Sequence, residues 1–167
     1  MSAFGHVVAT PLRDLLAFYL GKRAGARVPL RSSISPVDLR NLLSGVFLYE
    51  YDRANRDFQV RLAGNDIRDM VQTVRQGARL DEIFPPEAAA AVRERYAKVC
   101  DEVCVMHNIG HVFEKLGGTG QGERLALPLA DDSGDVRFLI GATLYDLGNP
   151  GKPLPGNEKV RITFTPL

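Results

Sequence analysis

The chain has 167 residues, 45% of them hydrophobic, so it is long enough to bury a core within one domain. The charges of its 21 basic and 20 acidic side chains nearly cancel, so the protein has no strong overall electrostatic field that would attract nucleic acid or an anionic membrane. No segment approaches the ~20 apolar residues that span a bilayer, and no secretory signal is visible. We therefore expect a soluble, cytoplasmic protein in which Cys100 and Cys104 are reduced thiols.

Residues 1–45 are expected to form a helical extension. Thr10 and Pro11 have the chemistry of an N-cap and a first-turn proline, and apolar residues then recur at helical spacing to residue 20. Ser35 and Pro36 repeat this start signal, which predicts a second helix ending at Gly45. Arginines are frequent between residues 13 and 40, but no aromatic residues interleave with the later ones. A solvated surface is therefore favoured over a nucleic-acid interface.

The rest of the chain predicts strands and helices in a mixed order. Residues 46–51 and 58–62 are β-rich runs around a polar turn, which is typical of a hairpin. A short helix at residues 67–74 and a long one at residues 86–103 follow from their apolar spacing. Three strands are then expected, separated by turn residues. Their ranges are 105–115, 124–129 and 136–145.

This order favours an α+β fold with an antiparallel sheet. We divide the chain into a helical extension (residues 1–45), a sheet-containing domain (46–147) and a C-terminal linker and arm (148–167). Residues 148–157 are rich in Gly and Pro, which is typical of a linker. Residues 160–164 are expected to form a strand or arm that can pair with a free sheet edge.

Several short pieces of the sequence match a known family in their order and spacing. They include Arg61-Leu62-Ala63-Gly64, Leu80-Asp81-Glu82-Ile83-Phe84 and Leu127-Pro128-Leu129. With the earlier Leu15-Leu16-Ala17-Phe18-Tyr19 and Ser35-Pro36-Val37-Asp38-Leu39, they span roughly residues 12–145. In this pattern the chain resembles a PAS domain, of the small stand-alone bacterial type grouped as the fifth PAS subfamily.

The resemblance implies a five-stranded antiparallel sheet with helices on one face and an extra N-terminal helical segment. It also implies a sensory or protein-interaction role, with a ligand or partner held between sheet and helices. The chain departs from the family pattern in lacking tryptophan near Phe18 and in having Leu43-Ser44 where Leu-Pro is common. Residues 74–77 depart as well. These differences fall around the helical wall of the expected pocket, so no ligand or cofactor is carried over.

The candidate ligand-binding residues come from two elements. If residues 105–115 form a strand, alternation places His107, Ile109, His111 and Phe113 on one face. One hypothesis is that these histidines point toward a ligand or the helical layer. The alternative is that they lie on the outer face or satisfy groups of the core. The helix after the first hairpin contributes the other candidates, which are Ile67, Met70 and Val71.

A metal, haem or flavin site is disfavoured. Cys100, Cys104, His107 and His111 have a spacing that suggests zinc, but on a strand the two histidines lie ~13 Å apart at ~3.3 Å per residue. The helix at residues 67–74 has neither the histidine that holds haem in some PAS domains nor the cysteine of a flavin photosensor. The glycine-rich residues 117–122 lack the Lys-Ser/Thr ending of a phosphate loop and predict a hairpin turn.

Two functions from different classes remain. The first is a non-catalytic sensory or regulatory module of bacterial signal transduction, which binds a small molecule or a signalling protein. The second is a small α+β enzyme with His107 or His111 as general base; His6 is excluded because its tail is expected to fray. The apolar stripe of the first helix either caps the domain or forms a homodimer interface.

Overall fold

The computed structural model describes residues 3–115, 118–145 and 161–167, and for residues 111–115 and 118–121 it describes the backbone alone. Four α-helices are α1 (Thr10–Gly21), α2 (Asn65–Met70), α3 (Leu80–Ile83) and α4 (Pro86–Glu102). Short 3-10 helices lie at Arg31–Ser33 and Pro36–Leu39. The strands are β1 (Val46–Asp52), β2 (Asp57–Ala63), β3 (Cys104–Lys115), β4 (Gly118–Ala130), β5 (Val136–Tyr145) and β6 (Arg161–Pro166).

The strands form one antiparallel sheet in the order β2-β1-β5-β4-β3-β6. The hairpin of β1 and β2 lies at one edge of the sheet. Strand β5 pairs with β1, so two strands distant in sequence are neighbours in the middle of the sheet. The expected PAS-like α+β fold is confirmed, with β6 as a sixth strand beside β3.

Both faces of the sheet are covered by apolar residues. The first face packs against α2, α3 and α4; we call this the helix-side layer, and its core includes Phe47, Tyr49, Tyr96, Met106 and Leu139. The second face packs against the N-terminal segment; we call this the N-terminal layer, and its core includes Leu12, Tyr19, Leu48, Val105 and Leu127. Successive residues of a central strand therefore enter different layers.

Helix α1 is held by the sheet of its own chain. Its apolar stripe is buried in the N-terminal layer, and the Tyr19 hydroxyl donates to the backbone oxygen of Pro128 at 2.6 Å. The stripe thus caps the domain, as one of the two sequence interpretations held. A homodimer through this helix stays a prediction.

The second helix expected in the extension is shorter than predicted. Ser35 caps the predicted helix start, and Asp38 completes a reciprocal cap with it, but only a 3-10 turn at Pro36–Leu39 follows. The chain then approaches the end of β2 so closely that a Cβ on Gly64 would overlap the carbonyl oxygens of Leu43 and Ser44. This contact leaves no room for a helix that continues to Gly45.

The long elements agree with the sequence pattern except for β4, which begins at Gly118, inside the glycine-rich stretch that was predicted to be a turn. The hairpin, α4 and β5 lie where they were predicted, while α2 ends at Met70, before the predicted residue 74. Helix α4 ends at Val103, which has a left-handed φ of 52°. That conformation turns the chain directly into β3, because it breaks the helical repeat.

The C-terminal arm pairs with the free edge of β3, as its sequence indicated. The predicted linker at residues 148–157 lies outside the described residues, and the limits of the three segments stay predictions. Within the described ranges, the helices are all too short or too polar to cross a membrane.

Candidate ligand-binding site

Aromatic rings fill much of the helix-side layer. Tyr96 from α4 stacks on Phe47 with ring centroids 6.0 Å apart, and its ring lies 5.7 Å from those of Tyr49 and Phe58. These residues come from β1, β2 and α4, so the cluster joins the sheet to the long helix. Tyr49 and Tyr96 are buried, and burial raises the pKa of both phenols, which therefore remain neutral hydroxyl groups.

A row of polar residues crosses the three central strands of the same face. Asn108 of β3 is paired with Arg124 of β4, and Arg124 is paired with Thr143 of β5. Asn108 and Thr143 are buried, whereas Arg124 is partly exposed. Side chains at directly paired positions lie within reach of one another. The row therefore places a cation and several hydrogen-bonding groups inside a layer that is otherwise apolar.

Arg124 is surrounded by hydroxyl groups and rings. Its Nε donates to the Thr143 hydroxyl at 2.9 Å, and its guanidinium carbon lies 5.9 Å from the centre of the Phe47 ring. Tyr145 has a buried hydroxyl beside Arg124 and Thr143, at a geometry too poor for a hydrogen bond. Burial works against the charge of Arg124, but the neighbouring Tyr96, Tyr145 and Tyr49 outweigh it and raise its pKa. Arg124 is therefore a permanent cation.

The opposite face carries a second polar cluster. Glu123, which precedes Arg124, accepts hydrogen bonds from Nε2 of His107 at 2.7 Å and from the backbone N–H groups of Val8 and Ala9 at 2.7 and 2.8 Å. Ala9 is the residue before α1 and has no capping side chain. The Glu123 carboxylate therefore satisfies the backbone donors that directly precede the first turn of α1, and it fixes the start of that helix to β4.

His6 is part of this second cluster, contrary to the expectation that its tail frays. Its ring lies 5.0 Å from the His107 ring, and its Nε2 is buried without a hydrogen-bond partner among the described residues. Burial, His107 and Arg161 lower the pKa of His6, while Glu123 acts in the other direction. His6 is consequently favoured as the neutral imidazole.

The structure separates the residues predicted to bind a ligand. Ile67 and Val71 belong to the core of the helix-side layer, and Met70 packs against it. His107 and Ile109 share the face of Val105, which belongs to the N-terminal layer. For His111 and Phe113 only the backbone of β3 is described. His107 forms its hydrogen bond with Glu123 on the face of the N-terminal layer, in line with the alternative that it satisfies a group of the core. Ligand binding by the seven candidate residues stays a prediction.

Cys100 and Cys104 are free and buried. Burial raises the pKa of both thiols, that of Cys104 to about 11. Because β3 is extended from Cys104 onward, the backbone spreads the spaced cysteines and histidines apart. In the described ranges, no group of three or more His, Cys, Asp or Glu residues is placed to hold a metal ion.

Neither Glu123 nor Arg124 stood out in the sequence, although a signal was present. Two adjacent charges precede the apolar run Leu125-Ala126-Leu127 within one strand. On a strand with both faces covered, such neighbours must enter two different layers, and each then needs a partner.

A family model described as a PAS domain matches residues 7–144 of the chain. The chain belongs to the PAS-domain family. The match covers both layers, including the N-terminal segment and α1, so the resemblance seen in the sequence is confirmed. No curated protein and no solved structure matches this PAS protein. PAS domains are in general sensory or regulatory modules, and the coarse functional prediction follows from the family.

Proposed function

We propose that this PAS protein is a non-catalytic sensory or regulatory module of bacterial signal transduction. A small molecule binds in the helix-side layer, and the N-terminal layer passes its presence to a signalling protein. Ile67, Met70 and Val71 on α2 form part of the wall around the ligand. The free, buried thiols support action in the cytoplasm, where thiols stay reduced.

The observation that carries this proposal is the position of two consecutive residues of β4. Arg124 lies in the helix-side layer among Tyr96, Tyr145 and Thr143. Glu123 lies in the N-terminal layer and holds the start of α1. A ligand that displaces the backbone at Arg124 also displaces that of its neighbour Glu123, which is the acceptor of the Val8 and Ala9 amides.

Catalysis by His107 finds less support. Its hydrogen bond to Glu123 resembles that of an oriented general base. However, the side chain is only 1% exposed, and the N-terminal segment covers it. A substrate would first have to displace that segment, so the carboxylate–imidazole pair is better suited to holding α1 in place.

A fragment screen of the full-length chain tests the proposal. Compounds that raise the unfolding temperature are mapped by amide hydrogen exchange. We expect hits to slow exchange in α4 and the central strands and to change exchange at Val8 and Ala9. Hits that protect the helix-side layer but leave these two amides unchanged would contradict transmission through β4.

Transmission also predicts that the state of the N-terminal layer affects ligand affinity. Glu123→Gln loosens the start of α1, so it should change the affinity for a hit from the helix-side layer, since coupling between sites is reciprocal. Glu94→Gln, an exposed substitution on α4, is the matched control. Equal affinities in both variants would refute the coupling.

A further inference from the structure

Among the described residues, Arg124 is a cation of the helix-side layer without a carboxylate partner. None of the ion pairs between described residues includes it. Its hydrogen bond runs to the neutral hydroxyl of Thr143, and its other close neighbours are Phe47 and neutral tyrosines. Charges removed from water are normally paired, because desolvation is otherwise uncompensated. The site thus has an excess positive charge.

The carboxylate nearest in sequence cannot neutralise this charge. Glu123 lies on the opposite face of β4, where His107, Val8 and Ala9 already donate to both of its oxygens. Surface arginines of the same sheet differ in this respect: Arg61 and Arg137 both pair with Glu50. Within the described part of the chain, Arg124 therefore differs from these two arginines in having no acid beside it.

The remaining donors and the surroundings define a ligand chemistry. Thr143 engages Nε of Arg124, and no described carboxylate engages its Nη groups, which can therefore form a bidentate pair with a planar anion. The Tyr145 hydroxyl is a further buried polar group beside the same guanidinium. The aromatic rings of Phe47 and Tyr96 lie next to the charge, and both are buried against each other. The partial exposure of Arg124 provides access from solvent.

We propose that Arg124 binds the carboxylate of a small organic acid that reaches it from solvent. One negative charge matches the single cation described here, which favours a carboxylate over a dianionic phosphate. This inference rests on the proposed ligand-sensing function and specifies the chemical class of the ligand.

The first test compares acids with neutral isosteres on the full-length wild-type chain. Phenylacetate and hexanoate are titrated by calorimetry beside phenylacetamide and hexanamide. We expect at least one acid to bind, and its amide to bind roughly 10- to 100-fold more weakly, because the amide loses a charge-assisted pair. If neither acid binds, or if acids and amides bind equally, the inference is overturned.

The second test uses variants. Arg124→Met keeps the apolar stem of the side chain, and it should reduce the affinity for the acid to that for the amide. Its unliganded unfolding temperature should stay close to that of the wild type, because the partly exposed Arg124 forms one hydrogen bond to a neutral hydroxyl and no ion pair with a described residue. Arg68→Met on the exposed side of α2 is the control and should change neither quantity. Unchanged acid binding in Arg124→Met would overturn the inference.

Amide exchange separates this inference from the function on which it rests. If phenylacetate binds through Arg124 while Val8 and Ala9 exchange as before, the acid site stands and the regulatory function fails. If neutral compounds bind the helix-side layer as tightly as acids and change exchange at these amides, the regulatory function stands and the acid site fails.

Discussion

Replacing Glu123 by glutamine preserves the shape of the side chain but removes its charge and one of its acceptors. In the wild type, Oε1 accepts from His107 and the Val8 N–H, and Oε2 accepts from the Ala9 N–H. Whichever way the glutamine amide turns, its NH2 group faces one of these two backbone donors. One N–H at the start of α1 therefore loses its acceptor.

The expected loss of stability follows from the number of N–H groups that lose their acceptor. A buried donor without an acceptor costs about 1–3 kcal/mol, and hydrogen bonds to a charged group are the stronger ones. We expect Glu123→Gln to lower the free energy of unfolding by about 2 kcal/mol. Glu123→Ala leaves His107, Val8 and Ala9 without this acceptor and should cost about 3–5 kcal/mol.

Urea denaturation at neutral pH measures these differences, and Glu94→Gln serves as the exposed control. Amide exchange should also become faster at Val8 and Ala9 in the Glu123 variants, because local opening of the segment becomes easier. If Glu123→Gln were as stable as the control and exchanged no faster at these positions, the carboxylate would not hold α1, and the reasoning would be refuted.

Acidification should reproduce part of the same loss. Burial works to raise the pKa of Glu123, but hydrogen bonds from His107, Val8 and Ala9 outweigh it and lower the pKa below its ordinary value of 4.5. A lowered carboxyl pKa stabilises the fold above the unfolded-state value, and this contribution is lost as pH falls through the folded-state value. The stability difference between wild type and Glu123→Gln should therefore shrink in acid below about pH 4.5.

Three further predictions concern other parts of the fold. Because the pKa of His6 is lowered from 6.5, the wild type should lose stability as pH falls below that value, and urea titrations of His6→Gln should show a flatter profile. A methyl group at Gly141 would overlap the Leu125 carbonyl oxygen and the Phe47 ring, so Gly141→Ala should cost about 2–3 kcal/mol in urea denaturation; an unaffected midpoint would contradict the close approach. Val103 is β-branched with a left-handed φ of 52°, so Val103→Gly should raise the free energy of unfolding by about 1 kcal/mol, and a loss of stability would show that the strain is not there.

The elements with a clear period were predictable from sequence, and the short ones were not. Helix α4 has an uninterrupted helical pattern, and β5 is bounded by turn residues on its N-terminal side. The residues after Pro36 carry a correct start signal, but the approach of Gly64 to Leu43 and Ser44 limits the helix. That contact joins residues distant in sequence, so no local pattern contains it.

The faces of β3 could not be assigned from sequence because both are covered. Met106, His107 and Asn108 are consecutive and all buried, so alternation of polar and apolar residues is lost. Alternation groups His107 with Ile109 correctly, but it does not say which layer they enter. The N-terminal segment makes that choice, because Val8 and Ala9 bring α1 to Glu123 on the same face.

The link between the two layers can be tested without any ligand. The measurement is site-specific hydrogen exchange at the Val8 and Ala9 amides in Arg124→Met, with Arg68→Met as the control. Transmission along β4 predicts that Arg124→Met changes these two exchange rates by roughly threefold or more, while Arg68→Met leaves them at the wild-type values. Identical rates in wild type and both variants would show that the two faces of the sheet respond independently, and the proposed regulatory function would then have no physical route.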